Sequence, residues 1–133
     1  MPNCKFLVVH CIDFRIQKSL EKFLRKNKVV GRADIISVPG GCKYFLDKKY
    51  APLLLNFLNL SFKLHHPKVL LLFQHQDCRA YGGEKSFKNS KEEIDFHKTE
   101  IKKLEAKVHK KDPTVKVRGY FVPLKGKILT IFS

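Results

Sequence analysis

The sequence has few of the features that assign a chain quickly to a common class of protein. Its 133 residues include only four cysteines, at positions 4, 11, 42 and 78, and their spacing does not resemble a disulfide framework. It has no internal repeat, linker or low-complexity segment. The first apolar run, Phe6 to Ile12, is too short to cross a membrane and has no small-residue cleavage site. We therefore expect a cytoplasmic protein with reduced thiols and a single domain over residues 1–133.

Arginine is also scarce, although the chain is strongly basic. The formal net charge is +15, yet only five of the 27 basic residues are arginine. Arginine is the favoured residue for bidentate contacts to phosphate and guanine. The lysines form no dense run and are not interleaved with aromatic residues. We interpret the charge as a solvated lysine-rich surface, and nucleic acid is not an expected partner.

The sequence does contain a regular alternation of apolar strand patterns and helical patterns. Strands are predicted at 5–11, 33–38, 68–74, 115–122 and 127–132. Helices are predicted at 14–28, 52–66 and 90–110, the last with Ser90 as its N-cap. This order predicts an α/β domain in which helices flank a mostly parallel central sheet, with an antiparallel strand at one edge.

The predicted helix at 52–66 is apolar nearly all round. A helix of this kind is either buried or lies in a subunit interface. We therefore expect a homodimer or a larger homo-oligomer.

Two short clusters suggest chemistry. Cys11 ends the first predicted strand, and His75 and Cys78 follow the third. Carboxyl ends of parallel strands meet at one edge of a sheet, where ligands bind in open α/β folds. Two thiolates and one imidazole favour zinc and leave one coordination position open, as in catalytic zinc sites. The sequence thus predicts Zn²⁺ bound by Cys11, His75 and Cys78.

Asp13 and Arg15 follow Cys11 at a spacing of two, so both side chains point the same way in an extended segment. A guanidinium fixes the orientation of a carboxylate and lowers its pKa. Asp13 is then a candidate to accept a proton from water at the metal or to orient that water. The alternative is that Asp13 is the fourth ligand and closes the site.

Cys-x-Asp-x-Arg followed by His-x-x-Cys resembles the zinc signature of the β-class carbonic anhydrases. The segment from Ser61 to Cys78, the turn at Gly40-Gly41 and the closing strand pair are also similar to that family. The Ala80–Gly83 segment is most similar to its short, carbonic-anhydrase-like branch. The resemblance implies a zinc lyase that converts carbon dioxide reversibly to bicarbonate through zinc-bound hydroxide. Asp13 and Arg15 would be catalytic, with Phe14 and Tyr81 near the substrate.

The sequence also departs from that family. Members of that family usually carry N-terminal helices that embrace a partner subunit, whereas the first predicted strand here begins at Lys5, so we expect any dimer to be built differently. Arg79 occupies a position that is usually glycine. Arg79 could attract bicarbonate or obstruct the pocket. Two alternatives therefore stay open: a non-catalytic zinc protein with a closed site, and a hydrolase of carbonyl sulfide or carbon disulfide. Outside the site, we expect Cys4 and Cys42 to be packing residues, His65 to be on the surface and His97 to be a satisfied interior histidine.

Overall fold

The computed structural model describes residues 2–133, which contain a five-stranded sheet and three α-helices. The strands are β1 (Phe6–His10), β2 (Ala33–Ser37), β3 (Val69–His75), β4 (Lys116–Val122) and β5 (Leu129–Phe132). The helices are α1 (Gln17–Lys26), α2 (Ala51–His65) and α3 (Ser90–Lys111). Short 3-10 turns at Phe14–Ile16, Lys43–Phe45, Arg79–Tyr81 and Glu84–Ser86 complete the described structure.

The strand order across the sheet is β2-β1-β3-β4-β5. All neighbouring pairs are parallel except β4 and β5, which are antiparallel. The predicted fold class is therefore confirmed, including its antiparallel edge. Because β1 and β3 are adjacent and parallel, their carboxyl ends lie side by side. This adjacency brings the segment after His10 close to the segment after His75.

The side chains of each strand alternate between two apolar cores, one on each face of the sheet. One core joins Val8, Leu71 and Phe73 to the apolar face of α1. The other joins Leu7, Leu70 and Leu72 of the strands to Leu58 of α2 and residues of α3. Strand β3 is buried along its whole length, as expected for a central parallel strand covered on both faces.

One detail, the N-cap of α3, differs from the sequence-based expectations. Asn89, and not Ser90, caps α3, because its side chain accepts a hydrogen bond from the backbone N–H of Glu92 at 2.9 Å. Helix α2 is buried along one side only, and Leu53, Phe57, Leu60 and Leu64 form an exposed stripe at 4-3-4 spacing. No helix within residues 2–133 is both long and apolar enough to span a bilayer.

Candidate metal centre

The structure brings Cys11, His75 and Cys78 together at the carboxyl edge of the sheet. Their ligand atoms all lie within 4.8 Å of one another, and all three residues are buried. Cys11 directly follows β1, His75 is the last residue of β3, and Cys78 lies three residues later, just before the 3-10 turn Arg79–Tyr81. Two sulfur atoms and one imidazole nitrogen form a donor set that suits zinc.

The orientation of His75 fits a metal at this position. Its Nδ1 lies 2.7 Å from the backbone carbonyl of Gln76, which can only accept, so Nδ1 carries the proton. The Nε2 atom then holds the free lone pair. Nε2 is buried and has no hydrogen-bond partner among residues 2–133. Metal-binding histidines usually have one ring nitrogen tied to a carbonyl or carboxylate in this way, with the other facing the ion.

The Cys11 sulfur is placed to carry a negative charge. The neighbouring Cys78 thiol lowers the pKa of Cys11, and His75 and the Gly40 backbone add to this effect against the opposing effect of burial. The Gly40 N–H donates to the Cys11 sulfur at 3.3 Å. Proximity to Cys11 and burial together raise the pKa of Cys78. Two thiolates this close together would repel each other. A divalent cation that binds both sulfurs would stabilise both as thiolates.

The turn after β2 supplies that Gly40 contact and depends on two glycines. Gly40 and Gly41 both have positive φ angles, +75° and +61°, which are accessible to glycine at little cost. A Cβ on Gly41 would also collide with the side-chain amide of Gln74 and lie 3.0 Å from the carbonyl oxygen of Phe73. The turn therefore passes close to β3 because Gly41 has no side chain.

Arg15 holds the Asp13 carboxylate firmly. Its backbone N–H donates to Asp13 Oδ1 at 2.9 Å, and its Nη2 donates to Oδ2 at 2.7 Å. This hydrogen bonding to Arg15 lowers the pKa of Asp13. Asp13 Oδ2 lies 3.8 Å from Nε2 of His75, at the border of the ligand cluster. The predicted Asp13–Arg15 pair therefore exists and stands beside the proposed ligands.

Asp77 is a second partner of Arg15, which the sequence pattern did not predict. Arg15 Nη1 donates to Asp77 Oδ2, and Nη2 donates to its backbone carbonyl, both at 3.0 Å. Asp77 has a φ of 57°, in the left-handed region that aspartate tolerates better than most residues. Hydrogen bonding from the Glu84 backbone N–H, followed by that from Arg15, lowers the pKa of Asp77 to about 2. The only sequence signal was its position between His75 and Cys78.

A cavity of about 500 Å³ opens beside the cluster. It is lined mainly by apolar groups together with Asp13, Arg15 and Arg79. Phe14 lies at this cavity and is 81% exposed. Tyr81 does not line it, which corrects the expectation, because its hydroxyl donates to Glu100 and its ring packs against Phe96. Arg79 is mostly exposed, and its Nε donates to Asp77 at 3.2 Å.

His97 is an interior residue, as predicted, and lies outside the ligand cluster. Gln74 Nε2 donates to its Nδ1 at 3.1 Å, and aromatic rings of Tyr81, Phe96 and Phe121 surround the imidazole. Its Nε2 has no partner within residues 2–133, so the expectation of a fully satisfied histidine is not met. Burial lowers the pKa of His97 to about 4.

A family model described as "Putative carbonic anhydrase" matches residues 1–132. The chain belongs to that family. Two curated relatives are both uncharacterized proteins of Rickettsia. The one from Rickettsia conorii is 23% identical, over 96% of this chain and 72% of its own length. The one from Rickettsia bellii is 24% identical, over 96% of this chain and 81% of its own length.

Solved structures of carbonic anhydrases share the fold of this family member. A carbonic anhydrase from Glaciozyma antarctica superposes with a TM-score of 0.64 at 18% identity, covering 98% of this chain and 83% of that chain. The β-carbonic anhydrase isoform I of Trichomonas vaginalis gives a TM-score of 0.57 at 17% identity, covering 99% of this chain and 84% of that chain. These similarities establish a β-carbonic-anhydrase-like architecture.

Proposed function

We propose that this protein is a zinc-dependent lyase that hydrates carbon dioxide reversibly to bicarbonate. The observation that carries the proposal is the placement of Asp13. Its carboxylate lies 3.8 Å from Nε2 of His75 and is held there by Arg15. A carboxylate tied to a guanidinium at the border of the cluster leaves Cys11, His75 and Cys78 as three ligands, so one position stays available for chemistry.

Cys11, His75 and Cys78 would hold the metal. When bound, the metal is a Lewis acid that lowers the pKa of bound water to about 7. Asp13 Oδ2 would accept a hydrogen bond from the reacting water and fix its orientation. Four hydrogen bonds from Arg15 occupy the Asp13 carboxylate, and rotating Asp13 onto the metal would break them. This cost supports the open site over the closed one.

The cavity suits a small uncharged substrate and an anionic product. Its apolar lining includes Ile12, Phe14 and Ala80. Carbon dioxide is uncharged, so its transfer from water into this cavity has a low desolvation cost. Arg79 lies at the same cavity with its guanidinium largely exposed. A positive charge there attracts bicarbonate, and the net charge of +15 adds a long-range field of the same sign.

Two further parts of the proposal concern the setting of the enzyme. The exposed α2 stripe of Leu53, Phe57, Leu60 and Leu64 supports a homodimer, because a 4-3-4 spacing can pack against its own two-fold copy. The four cysteines within residues 2–133 are all free. Free thiols at a metal cluster suit a cytoplasmic location, where they stay reduced.

The deciding experiment is stopped-flow hydration of carbon dioxide by the zinc-loaded protein, from about pH 7 to pH 9 where zinc-bound water ionises. Asp13→Asn is the test variant, because asparagine keeps the shape of the side chain and removes its charge. Asp95→Asn is the matched control, since Asp95 is an exposed carboxylate on α3 paired with Lys91. Zinc content is measured for all three proteins.

Activity in the native protein and in Asp95→Asn, with a loss of at least about a hundredfold in Asp13→Asn at unchanged zinc content, supports the proposal. A zinc-loaded native protein without hydration activity contradicts it. The same preparation is then assayed with carbonyl sulfide and carbon disulfide. Activity on either one would establish the related hydrolase, and inactivity on all three would leave a closed zinc site.

A further inference from the structure

A second group of metal-binding side chains lies at the opposite edge of the sheet. Cys4 precedes β1, Asp34 lies in β2, and His65 is the last residue of α2. Their ligand atoms all lie within 4.8 Å of one another. A thiol, a carboxylate and an imidazole are the three side-chain types that most often bind zinc.

The fold holds these three side chains together by contacts between separate segments. The backbone N–H of Cys4 donates to the carbonyl oxygen of His65 at 3.0 Å, which fixes the start of β1 against the end of α2. Asp34 Oδ2 lies 2.8 Å from Nδ1 of His65 and accepts a hydrogen bond from Ser61 at 2.6 Å. Ser61 therefore orients the carboxylate, as outer hydrogen bonds do in metal sites.

This cluster is separate from the one at Cys11. Cys4 and Cys11 lie at opposite ends of β1, seven positions apart in sequence. At a rise of about 3.3 Å per residue, the two cysteines are separated by roughly 20 Å. Cys11, His75 and Cys78 are buried, whereas Cys4, Asp34 and His65 are all partly exposed. A cation could reach the second cluster directly from solvent.

The surroundings correct the sequence-based expectation for Cys4. Cys4 is not a core residue, because it is partly exposed and its thiol donates to the Phe6 carbonyl at 3.3 Å. His65 is partly exposed, as expected for a surface residue, and its ring pairs with Asp34. An Asp–His ion pair alone would account for Asp34 and His65, but not for the thiol held within reach of both.

We propose that Cys4, Asp34 and His65 form a second, solvent-accessible site for a divalent metal ion of the zinc type. Cys4 binds as the thiolate, so its thiol proton is released to solvent as the cation enters, and neutral His65 binds through Nδ1 with its ring proton on Nε2. The bound ion would tie together the start of β1, the edge strand β2 and the end of α2. This proposal does not depend on the proposed activity.

The test counts zinc ions in the Cys11→Ser variant, in which the first cluster has lost a ligand. In that background we introduce Cys4→Ser or His65→Asn, with His66→Asn as the matched control. His66 is the next residue and is exposed, and its ring contacts Asn3 and not the cluster. Binding is measured by competition with a chromophoric zinc indicator and by cobalt(II) absorption, in which a thiolate ligand gives a charge-transfer band. Circular dichroism confirms that each variant is folded.

The expected result is zinc binding with a thiolate–cobalt band in Cys11→Ser and in its His66→Asn derivative. Addition of Cys4→Ser should remove the band and weaken zinc binding at least tenfold, and His65→Asn should weaken binding similarly. A stoichiometry in the native protein that is one ion higher than in Cys4→Ser gives independent support. Zinc affinity and cobalt spectra that are the same in the His65→Asn, Cys4→Ser and control proteins would overturn the proposal.

Discussion

Arg15 and Asp77 are joined by a hydrogen bond of 3.0 Å between Nη1 and Oδ2, across 62 positions of sequence. The same guanidinium bonds Asp13, so one arginine spans the loop after β1 and the loop after β3. Both loops carry proposed metal ligands. The Arg15–Asp77 contact therefore couples the orientation of Asp13 to the position of His75 and Cys78.

We expect Asp77→Asn to lower the rate of carbon dioxide hydration about tenfold, which corresponds to about 1.4 kcal/mol in the barrier. Asparagine tolerates the left-handed backbone at this position but offers Arg15 a neutral and weaker partner. Zinc content should not change, because Asp77 is not a member of the ligand cluster. Stopped-flow assays compare it with Asp95→Asn, and equal rates in both variants would show that the Arg15–Asp77 contact has no role.

Arg79→Gln should raise the KM for bicarbonate in the dehydration direction several-fold and change the KM for carbon dioxide little. The guanidinium at the cavity attracts an anion and not a neutral molecule. Added salt should reduce the difference between native protein and variant. Arg25→Gln on α1, which removes an exposed arginine paired with Glu21, is the control for net charge. A rise in both KM values would instead indicate damage to the cavity.

Gly41→Ala should destabilise the protein by about 1–3 kcal/mol and weaken zinc binding. The new methyl group would collide with the Gln74 amide and displace the turn that presents Gly40 N–H to Cys11. Gly31→Ala is the matched control, because Gly31 also has a positive φ but has no atom within 4 Å of an added Cβ. Urea unfolding and zinc competition are measured on both. Similar zinc affinities in the two variants would contradict the role of the turn.

His97 should make the fold sensitive to acid. Burial lowers its pKa to about 4 from an ordinary value of 6.5, so the unfolded chain binds a proton at a higher pH than the folded one. The neutral His97 therefore contributes its full share to the free energy of unfolding above about pH 6.5. This contribution falls by up to about 3 kcal/mol as the pH drops to about 4. His97→Phe removes this titration in an aromatic environment. The free energy of unfolding of both proteins is measured with urea in the presence of a chelator. As the pH falls, the native protein should lose more stability than His97→Phe. A difference independent of pH would contradict this account.

Phe57→Asp should convert a homodimer into a monomer. The substitution places a charge in the middle of the apolar α2 stripe, where it would be desolvated in a two-fold contact. Leu129→Asp is the control, because Leu129 is an exposed apolar residue on β5 at the far side of the sheet. Analytical ultracentrifugation measures the mass of each. A native protein that is already monomeric would remove the prediction.

Much of the fold could be predicted from periodicity alone. The predicted ends of β3, α1, β4 and β5 lie within three residues of the observed ends. Local burial patterns depend on sequence spacing, so these elements could be read from the chain. The predicted ligands Cys11, His75 and Cys78 also meet in space. Their role as metal ligands stays a prediction until zinc is measured.

What the sequence by itself determined was the set of elements and the candidate ligand residues, because donor type and hydrophobic spacing are properties of the chain. Only the tertiary structure decided which side chains meet across elements. Strand order and helix placement decide the bond from Arg15 to Asp77, the contact of Tyr81 with Glu100 and the approach of Cys4 to Asp34 and His65. Such contacts join residues tens of positions apart, so no local pattern encodes them.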